Sequence, residues 1–189
     1  MRAPISGRRY ASGSQTTVCA YNRETTMINE RVLSVVANSE RSLYESDASK
    51  DMAFYYPEAR IFGIDDNGLL ATIASNKDVY DLIDDPSTAD SLAEYNADSF
   101  VLVTYGWAAP ITEDNDDSDI APSQHKDKVR CRVFLYVCPS GIMSYVRLDK
   151  DPNDVMVEDN GAGSLADYCK ELMQHVSDLT ITTRTKAGK

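Results

Sequence analysis

The chain lacks the features that mark membrane proteins and disulfide-rich secreted proteins. It has four cysteines, none in a Cys-x-x-Cys pair, and two histidines. Its apolar runs, such as residues 100–103, are far shorter than the ~18 residues that a transmembrane helix needs. Twin arginines near the N-terminus are followed by polar residues instead of the apolar segment of a secretory signal. We therefore expect a cytoplasmic protein with reduced cysteines.

Basic residues are also scarce. The 19 Lys and Arg residues face 30 Asp and Glu residues, for a net charge of -11. Residues 1–26 hold four arginines against one glutamate, and residues 177–189 hold three basic residues against one acid, so residues 27–176 carry -16. A field of this sign repels phosphate backbones and attracts cations or basic proteins. The charge argues against direct binding to nucleic acid.

The pattern of apolar residues predicts one α+β domain. With 189 residues, of which 42% are hydrophobic, the chain is long enough to bury a sizeable core. Asn67-Gly68 supplies the tight turn of a first hairpin. In chain order the predicted elements are a helix over 27–45, strands over 60–64 and 69–74, short helices over 77–83 and 87–95, a central strand over 99–105, strands over 129–137 and 142–148, and a helix over 164–175.

These elements indicate a five-stranded, mostly antiparallel sheet, made of two hairpins plus a central strand and packed with three main helices. The first helix should bury its valines and turn Glu40 toward solvent. We assign the globular domain to residues 27–176. Residues 1–26 are interpreted as a disordered tail or as sequence ahead of a true start at Met27, and residues 177–189 as a flexible basic tail.

The second hairpin carries different side chains on its two faces. Cys131 falls on the apolar face and is interpreted, like Cys169 in the last helix, as a small core residue. The other face presents an aromatic and basic stripe if the register is tight. The stripe could stack nucleobases, but a helix laid over it, with the arginines reaching its rim, is the plainer interpretation. It consists of Arg132, Phe134, Tyr136, Met143, Tyr145 and Arg147.

Two acidic connections are predicted to meet at one end of the sheet. A hairpin brings the start of its first strand beside the end of its second, so the connections before Val129 and after Leu148 should emerge together. Crowded carboxylates would be relieved by a divalent cation or by a partner's Lys and Arg side chains. The carboxylates are those of Glu113, Asp114, Asp116, Asp117, Asp119, Asp149, Asp151, Asp154, Glu158 and Asp159.

Three more residues beside this end are candidates for partner binding. Trp107, the only tryptophan, either anchors the core or stacks on a ligand. His125 precedes the strand that bears Arg130, and we expect a surface histidine, with a functional one as the alternative. The sequence shows no nucleophile or metal motif that would give it a catalytic partner. An EF-hand-like start at Asp114 lacks the required glycine and glutamate, so we predict no catalytic residue, no cofactor and no metal ligand.

Several short segments resemble known families. Gly106-Trp107 followed by Pro110 is similar to the Gly-Trp-x-His-x-His-Pro segment of JAB/MPN metalloproteases, but Ala108-Ala109 stand near the positions of the metal-binding histidines, which implies a scaffold role without zinc. The element order resembles the roadblock and profilin-like folds. Residues 99–168 resemble small actinobacterial and phage proteins that carry no assigned activity. That last resemblance rests on Gly106-Trp107-Ala108, Pro122-Ser123, Val129-Arg130 and Gly163-Ser164-Leu165-Ala166-Asp167.

The sequence favours a non-catalytic acidic interaction module of bacterial or phage origin. No motif demands a particular chemistry, whereas ten carboxylates are predicted at one end of the sheet, where they would bind a basic protein surface or simply keep the chain soluble. Two alternatives stay open. One is a divalent-metal-dependent enzyme that uses the acidic connection near His125, and the other is an acidic mimic of DNA.

Overall fold

In the part of the chain that the structure describes, a six-stranded antiparallel sheet lies between one helix on one face and three helices on the other. The computed structural model describes residues 30–65, 67–95, 97–109, 121–159 and 163–187. The predicted tail at 1–26 lies outside them. The elements are α1 (Glu30–Ala48), β1 (Ala59–Asp65), β2 (Gly68–Asn76), α2 (Val79–Asp84), α3 (Pro86–Glu94), β3 (Phe100–Ala108), β4 (Val129–Cys138), β5 (Gly141–Leu148), β6 (Asp151–Asp159) and α4 (Ser164–Ala187).

The strands follow the order β2-β1-β3-β4-β5-β6, and every neighbouring pair is antiparallel. The apolar run of β3 lies in the interior of the sheet, between the two hairpins. Its residues Phe100 to Val103 are each 0% exposed, because helices cover both faces at this point. The predicted α+β class, with an antiparallel sheet and a central strand, is confirmed.

The predicted number of elements is wrong, because the sheet has six strands instead of five and the described residues form four helices instead of three main ones. The missed strand is β6, which occupies a stretch predicted as an acidic loop. It contains Pro152 and four carboxylates, and both residue types are depleted in strands. β6 is an edge strand, however, and one side of an edge tolerates proline and charge.

Helix α4 runs to Ala187, whereas the sequence predicted an end near His175. Residues 177–187, which the sequence assigns to a flexible tail, are therefore helical. Leu179 continues the apolar side of the helix and packs against the core, and the hydroxyl of Thr180 donates to the carbonyl of Val176 at 2.9 Å. The β-branched residues of this last stretch have low helix propensity, and that is why the sequence indicated an earlier end.

Alternating side chains give the sheet two buried faces. On one face, Leu135 of β4 packs with Cys169 and Leu172 of α4, together with residues of α2 and α3. Cys131 is 5% exposed and Cys169 is 0% exposed, so the prediction that both are core residues is confirmed. On the opposite face α1 is the only helix of the described residues, and its Val36 packs against the aromatic residues of β4 and β5.

Charged side chains are buried between α1 and the sheet. Glu40 and Asp47 are seven residues apart on α1, which is about two helical turns, so both point toward the sheet. One arginine from each of β1, β4 and β5 meets them. We call these five residues the ionic cluster, and the most exposed of them retains 7% of its accessible surface. The ionic cluster consists of Glu40, Asp47, Arg60, Arg132 and Arg147.

Each carboxylate of the ionic cluster binds one arginine through two hydrogen bonds and shares a second arginine with the other carboxylate. Arg147 donates to Glu40 from Nε and Nη2, at 2.8 and 2.6 Å. Arg60 donates to Asp47 from Nη1 and Nη2, at 3.2 and 2.6 Å. Arg132 bridges the pair, with 3.1 Å to Glu40 and 3.2 Å to Asp47. Because bidentate pairs fix both distance and orientation, the cluster determines where α1 lies on the sheet.

The stripe predicted on the second hairpin is present in the predicted register, and α1 covers it. Two expectations about the charged residues between α1 and the sheet are wrong. Glu40 is 2% exposed instead of facing solvent, and Arg132 is 0% exposed instead of reaching the rim of the helix. Hydrophobic periodicity treats every glutamate as polar, so it cannot show that arginine partners lie opposite. The facing pairs are Arg132 with Arg147, Phe134 with Tyr145, and Tyr136 with Met143.

We expect Arg132→Met to lower the free energy of unfolding by about 3 kcal/mol, because it removes the guanidinium that both buried carboxylates share. Arg130→Met is the matched control, since Arg130 is on the same strand and the same face but is partly exposed. It should cost less than about 1 kcal/mol. Urea unfolding monitored by circular dichroism measures both. Equal losses in the two variants would contradict a dominant role for the ionic cluster.

Candidate functional site

Two of the sequence-predicted site residues meet at the far end of β3. Trp107 and Arg130 are directly opposite each other in the β3–β4 register, and the Arg130 Cζ lies 4.4 Å from the centroid of the indole ring. Lys128 Nζ lies 4.8 Å from the same centroid, and Arg130 Cζ lies 5.4 Å from the centroid of Tyr55. We call Tyr55, Trp107, Lys128 and Arg130 the aromatic–basic corner. Stacked cations and rings of this kind are typical of protein interfaces.

The aromatic–basic corner is open to solvent and adjoins the end of β5. Tyr55 is 59% exposed, and its hydroxyl donates to Asp149 Oδ2 at 3.0 Å. This hydrogen bond to a carboxylate raises the pKa of Tyr55 above its ordinary value. The backbone N–H of Asp149 donates to the carbonyl of Arg130 at 2.9 Å. The ends of β4 and β5 therefore lie side by side, as an antiparallel hairpin requires.

His125 is buried, so the expectation of a surface histidine is wrong. It is 6% exposed and follows a 3-10 turn at Pro122–Gln124. Its Nδ1 accepts a hydrogen bond from the backbone N–H of Asp127 at 3.0 Å. The ring thus stabilises the turn that leads into β4. A turn of this kind gives no periodic signal, and the sequence could not show that the ring is covered.

The predicted acidic end is only partly assembled among the described residues. Glu113, Asp114, Asp116, Asp117 and Asp119 lie outside them. Asp151 is paired with Leu148, and exposed Asp154 follows it on β6. Glu158 and Asp159 are opposite Ser144 and Met143, because β6 runs back along β5 and carries them to the other end of the sheet. The expectation that all ten carboxylates share one end is therefore wrong for these last two.

The described residues at that end carry both signs of charge. Lysines at 126, 128 and 150 lie close along the chain to aspartates at 127, 149 and 151, and Arg130 adds another positive charge. Nearby charges of opposite sign compensate one another within a Debye length of about 8 Å. The described part of this end is therefore not a uniformly acidic surface.

No catalytic arrangement is found in the described part of the chain. It contains no group of three or more His, Cys, Asp or Glu residues positioned to hold a metal ion. Burial raises the pKa of the Cys169 thiol to about 12 and also raises the pKa of Cys131. A thiol in that state is a poor nucleophile, because the thiolate is the reactive species. Neither buried cysteine is suited to covalent catalysis.

A second acidic surface lies on α2, on α3 and on the residues that flank them. This surface was not predicted from the sequence. Residues 78–98 contain seven acids and no Lys or Arg, and all seven are exposed. A run of one sign over 21 residues is a signal that could have been read directly from the sequence. We call it the acidic helical surface, and it consists of Asp78, Asp81, Asp84, Asp85, Asp90, Glu94 and Asp98.

Two of these aspartates also hold the helices in place. The carboxylate of Asp78 accepts hydrogen bonds from the N–H groups of Tyr80 and Asp81 at the start of α2. The carboxylate of Asp85 accepts from the N–H of Ser87 at 2.9 Å at the start of α3. That hydrogen bond lowers the pKa of Asp85. Capping explains these two positions, but it does not explain the other five.

A small cavity of about 180 Å³ lies beside the acidic helical surface, between α2, α3 and α4. Its lining residues include three acids, Asp84, Asp85 and Glu171, together with Tyr168 and His175. Tyr168 is 37% exposed and makes an edge-to-face contact with Tyr80, with ring centroids 5.2 Å apart. Carboxylates next to an aromatic ring are suited to the head group of a Lys or Arg side chain.

We expect thiol reagents to modify Cys138 before the two buried cysteines, because Cys131 and Cys169 are covered and their pKa values are raised. Labelling of native protein at about pH 8, followed by peptide mass spectrometry, measures the order. The same reaction in urea is the control, in which Cys131, Cys138 and Cys169 should react alike. Modification of Cys169 in the native protein at the rate of Cys138 would contradict the assignment of Cys169 as an inert core residue.

The described helices do not combine the length and apolar character needed to cross a membrane. The chain matches no family model, no curated protein and no solved structure.

Proposed function

We propose that this protein is a non-catalytic interaction module whose acidic helical surface binds a Lys- and Arg-rich segment of another protein. One observation carries the proposal. Seven exposed carboxylates lie within residues 78–98 with no basic residue among them, and a cavity whose lining includes Asp84, Glu171, Tyr168 and His175 adjoins them. A basic segment is the partner that complements such a surface in both charge and shape.

Electrostatics would govern how fast and how selectively the partner binds. Each exposed ion pair contributes only about 0.2–1 kcal/mol, so affinity has to come from several pairs formed together. A surface of one sign raises the association rate of an oppositely charged partner and repels partners of the same sign. Because salt screens exposed charges, the complex should weaken as ionic strength rises.

The cavity beside Tyr168 would add specificity to this attraction. Its volume of about 180 Å³ suits a single long side chain, and Asp84 and Glu171 lie in its wall. A Lys or Arg side chain could place its cationic end over the tyrosine ring and near these carboxylates, and such a cation–π contact contributes about 0.5–1 kcal/mol at an exposed site. The cavity would thus favour a segment with a basic residue at the matching position.

The sequence also predicted partner-binding residues at the other end of the sheet, and we retain that prediction. Trp107 and Arg130 belong to the aromatic–basic corner, whose composition is typical of interfaces. Asp151 and Asp154 lie on the neighbouring edge strand, and residues 113–119 add five carboxylates by sequence. Together they would form a second contact region for the same kind of partner.

Binding is tested with a fluorescein-labelled Lys/Arg nonapeptide, by fluorescence anisotropy at low ionic strength. Asp81→Asn/Asp84→Asn/Glu94→Gln removes three charges from the acidic helical surface but leaves the capping aspartates in place. The affinity should fall about tenfold, the equivalent of about 0.5 kcal/mol for each exposed pair. Thermal melting of the variant controls for folding.

The matched control is Glu45→Gln/Asp51→Asn/Glu158→Gln, which removes the same number of charges from exposed positions outside both proposed contact regions. It should weaken binding less than about threefold, because long-range attraction alone is reduced. Equal losses in the two variants would show that the peptide responds to net charge only. That result would overturn the proposed location of the binding surface.

A divalent cation should not stabilise the protein, because the proposed function uses no metal. Thermal melts with and without about 5 mM Mg²⁺ or Ca²⁺ should agree within about 1 °C. The metal-dependent enzyme considered from the sequence gives the opposite expectation, since a cation at about 100 times its Kd would add about 2.7 kcal/mol of stability. EDTA-treated protein serves as the reference. A clear upward shift with either ion would favour the enzyme over the interaction module.

A further inference from the structure

A larger cavity, of about 440 Å³, opens at the end of the sheet opposite the aromatic–basic corner. Its volume lies within the range of about 300–1,000 Å³ that is common for ligand sites. It lies between the first half of α1, the turn between β1 and β2, and the segment that joins α3 to β3. Its wall includes Val32, Val35, Ile64, Leu70, Tyr95 and Asp98.

The position of the cavity follows from the way the chain covers this face of the sheet. α1 is the only described helix there, and the cavity lies where its first half faces the turn between β1 and β2. Gly68, with a φ of +125°, allows the tight turn between these strands, and Asp65 Oδ1 accepts from the N–H of Asn67 at 2.7 Å within the turn. The turn therefore holds Asp65 in the cavity wall.

The cavity wall combines aliphatic residues with polar and acidic ones. Val32, Val35 and Ile64 supply aliphatic surface, Asn67 and Ser99 are polar, and among the described residues of the wall there is no Lys or Arg. Asp65 and Asp98 are both exposed and both line it. An occupant must therefore combine an apolar body with nearby positive charge.

The cavity also continues the acidic helical surface. Asp98 is the last residue of that surface and part of the cavity wall, and Tyr95 directly follows Glu94 of the same surface. Two large apolar side chains are exposed here, Tyr95 at 55% and Leu70 at 38%. A basic segment bound along α3 would thus reach an apolar recess at the end of its path.

We propose that this cavity holds one large aliphatic side chain of the basic segment. This inference rests on the proposed function and adds to it the chemistry of the partner, which is a Lys- and Arg-rich segment interrupted by a leucine-like residue. The aliphatic side chain packs against the valines of α1 and against Ile64, while a neighbouring basic residue pairs with Asp65 or Asp98. Burial of an apolar side chain does not weaken in salt as exposed ion pairs do.

Two labelled peptides test the proposal. They have the sequence Lys-Arg-Lys-X-Lys-Arg-Lys, with leucine or serine at X, and they carry the same charge. Fluorescence anisotropy should give about tenfold tighter binding for the leucine peptide, as expected from the transfer of one aliphatic side chain out of water. The preference should persist when added salt weakens both peptides.

Two variants of α1 test whether the preference for the leucine peptide arises in this cavity. Val35→Phe places a larger side chain in the cavity, and it should abolish the preference for leucine while the serine peptide binds as before. Ser34→Phe is the matched control on the same helix, because Ser34 is exposed and does not line the cavity. It should retain the preference. Thermal melting verifies that both variants are folded.

The outcomes separate this inference from the proposed function. Equal binding of the leucine and serine peptides to the natural protein would overturn the aliphatic site and leave the acidic surface standing. A preference that survives Val35→Phe would also overturn it, because the leucine would then bind elsewhere. Failure of both peptides to bind at low ionic strength would overturn the proposed function, and this inference would fail with it.

Discussion

Glu40 and Asp47 of α1 bind three arginines of the sheet. The position of α1 on the sheet depends on this buried contact. The transfer of charged groups from water into the protein interior costs free energy, and hydrogen bonds must compensate for that cost. Here Glu40 and Asp47 each accept at least three hydrogen bonds, and the ring of Tyr44 covers Arg147 at 4.2 Å. The Tyr105 hydroxyl adds a further contact, since it accepts from Arg60 Nη2 at 2.8 Å. Such directional contacts select one position of α1, whereas apolar packing alone would tolerate a shift along the helix.

The ionic cluster also influences the charge of the outer surface. It takes three arginines and only two carboxylates into the interior, so burial removes more positive than negative charge from contact with solvent. Most of the described acidic residues are exposed, and α2 and α3 contain no Lys or Arg. The interior charges serve structure and the exterior charges are available to a partner, which is the physical basis of the proposed binding role.

The acidic helical surface and the two cavities suggest how a charged surface could still be selective. Exposed carboxylates attract any basic segment, because Coulomb forces between screened charges carry little shape information. The small cavity near Tyr168 and the larger cavity near Val35 lie at different points of this surface and differ in chemistry. One has carboxylates around an aromatic ring, and the other has an aliphatic wall with an acidic rim. Together they would select the order of basic and aliphatic residues in a partner.

The amino-acid sequence by itself determined the α+β class, the central strand, the register of the second hairpin and the burial of Cys131, because alternation and helical spacing are local properties of the chain. Only the tertiary structure decided that Glu40 and Arg132 are buried as partners, that His125 is covered, and that the acidic stretch after Leu148 becomes an edge strand. Each of these depends on a part of the chain that is distant in sequence. The burial of Glu40 depends on the arginines opposite it, and β6 forms because the edge of β5 is available for pairing. The local sequence pattern predicts that a charged residue faces solvent. Only the packing of the helices on the sheet shows which charged residues have a buried partner.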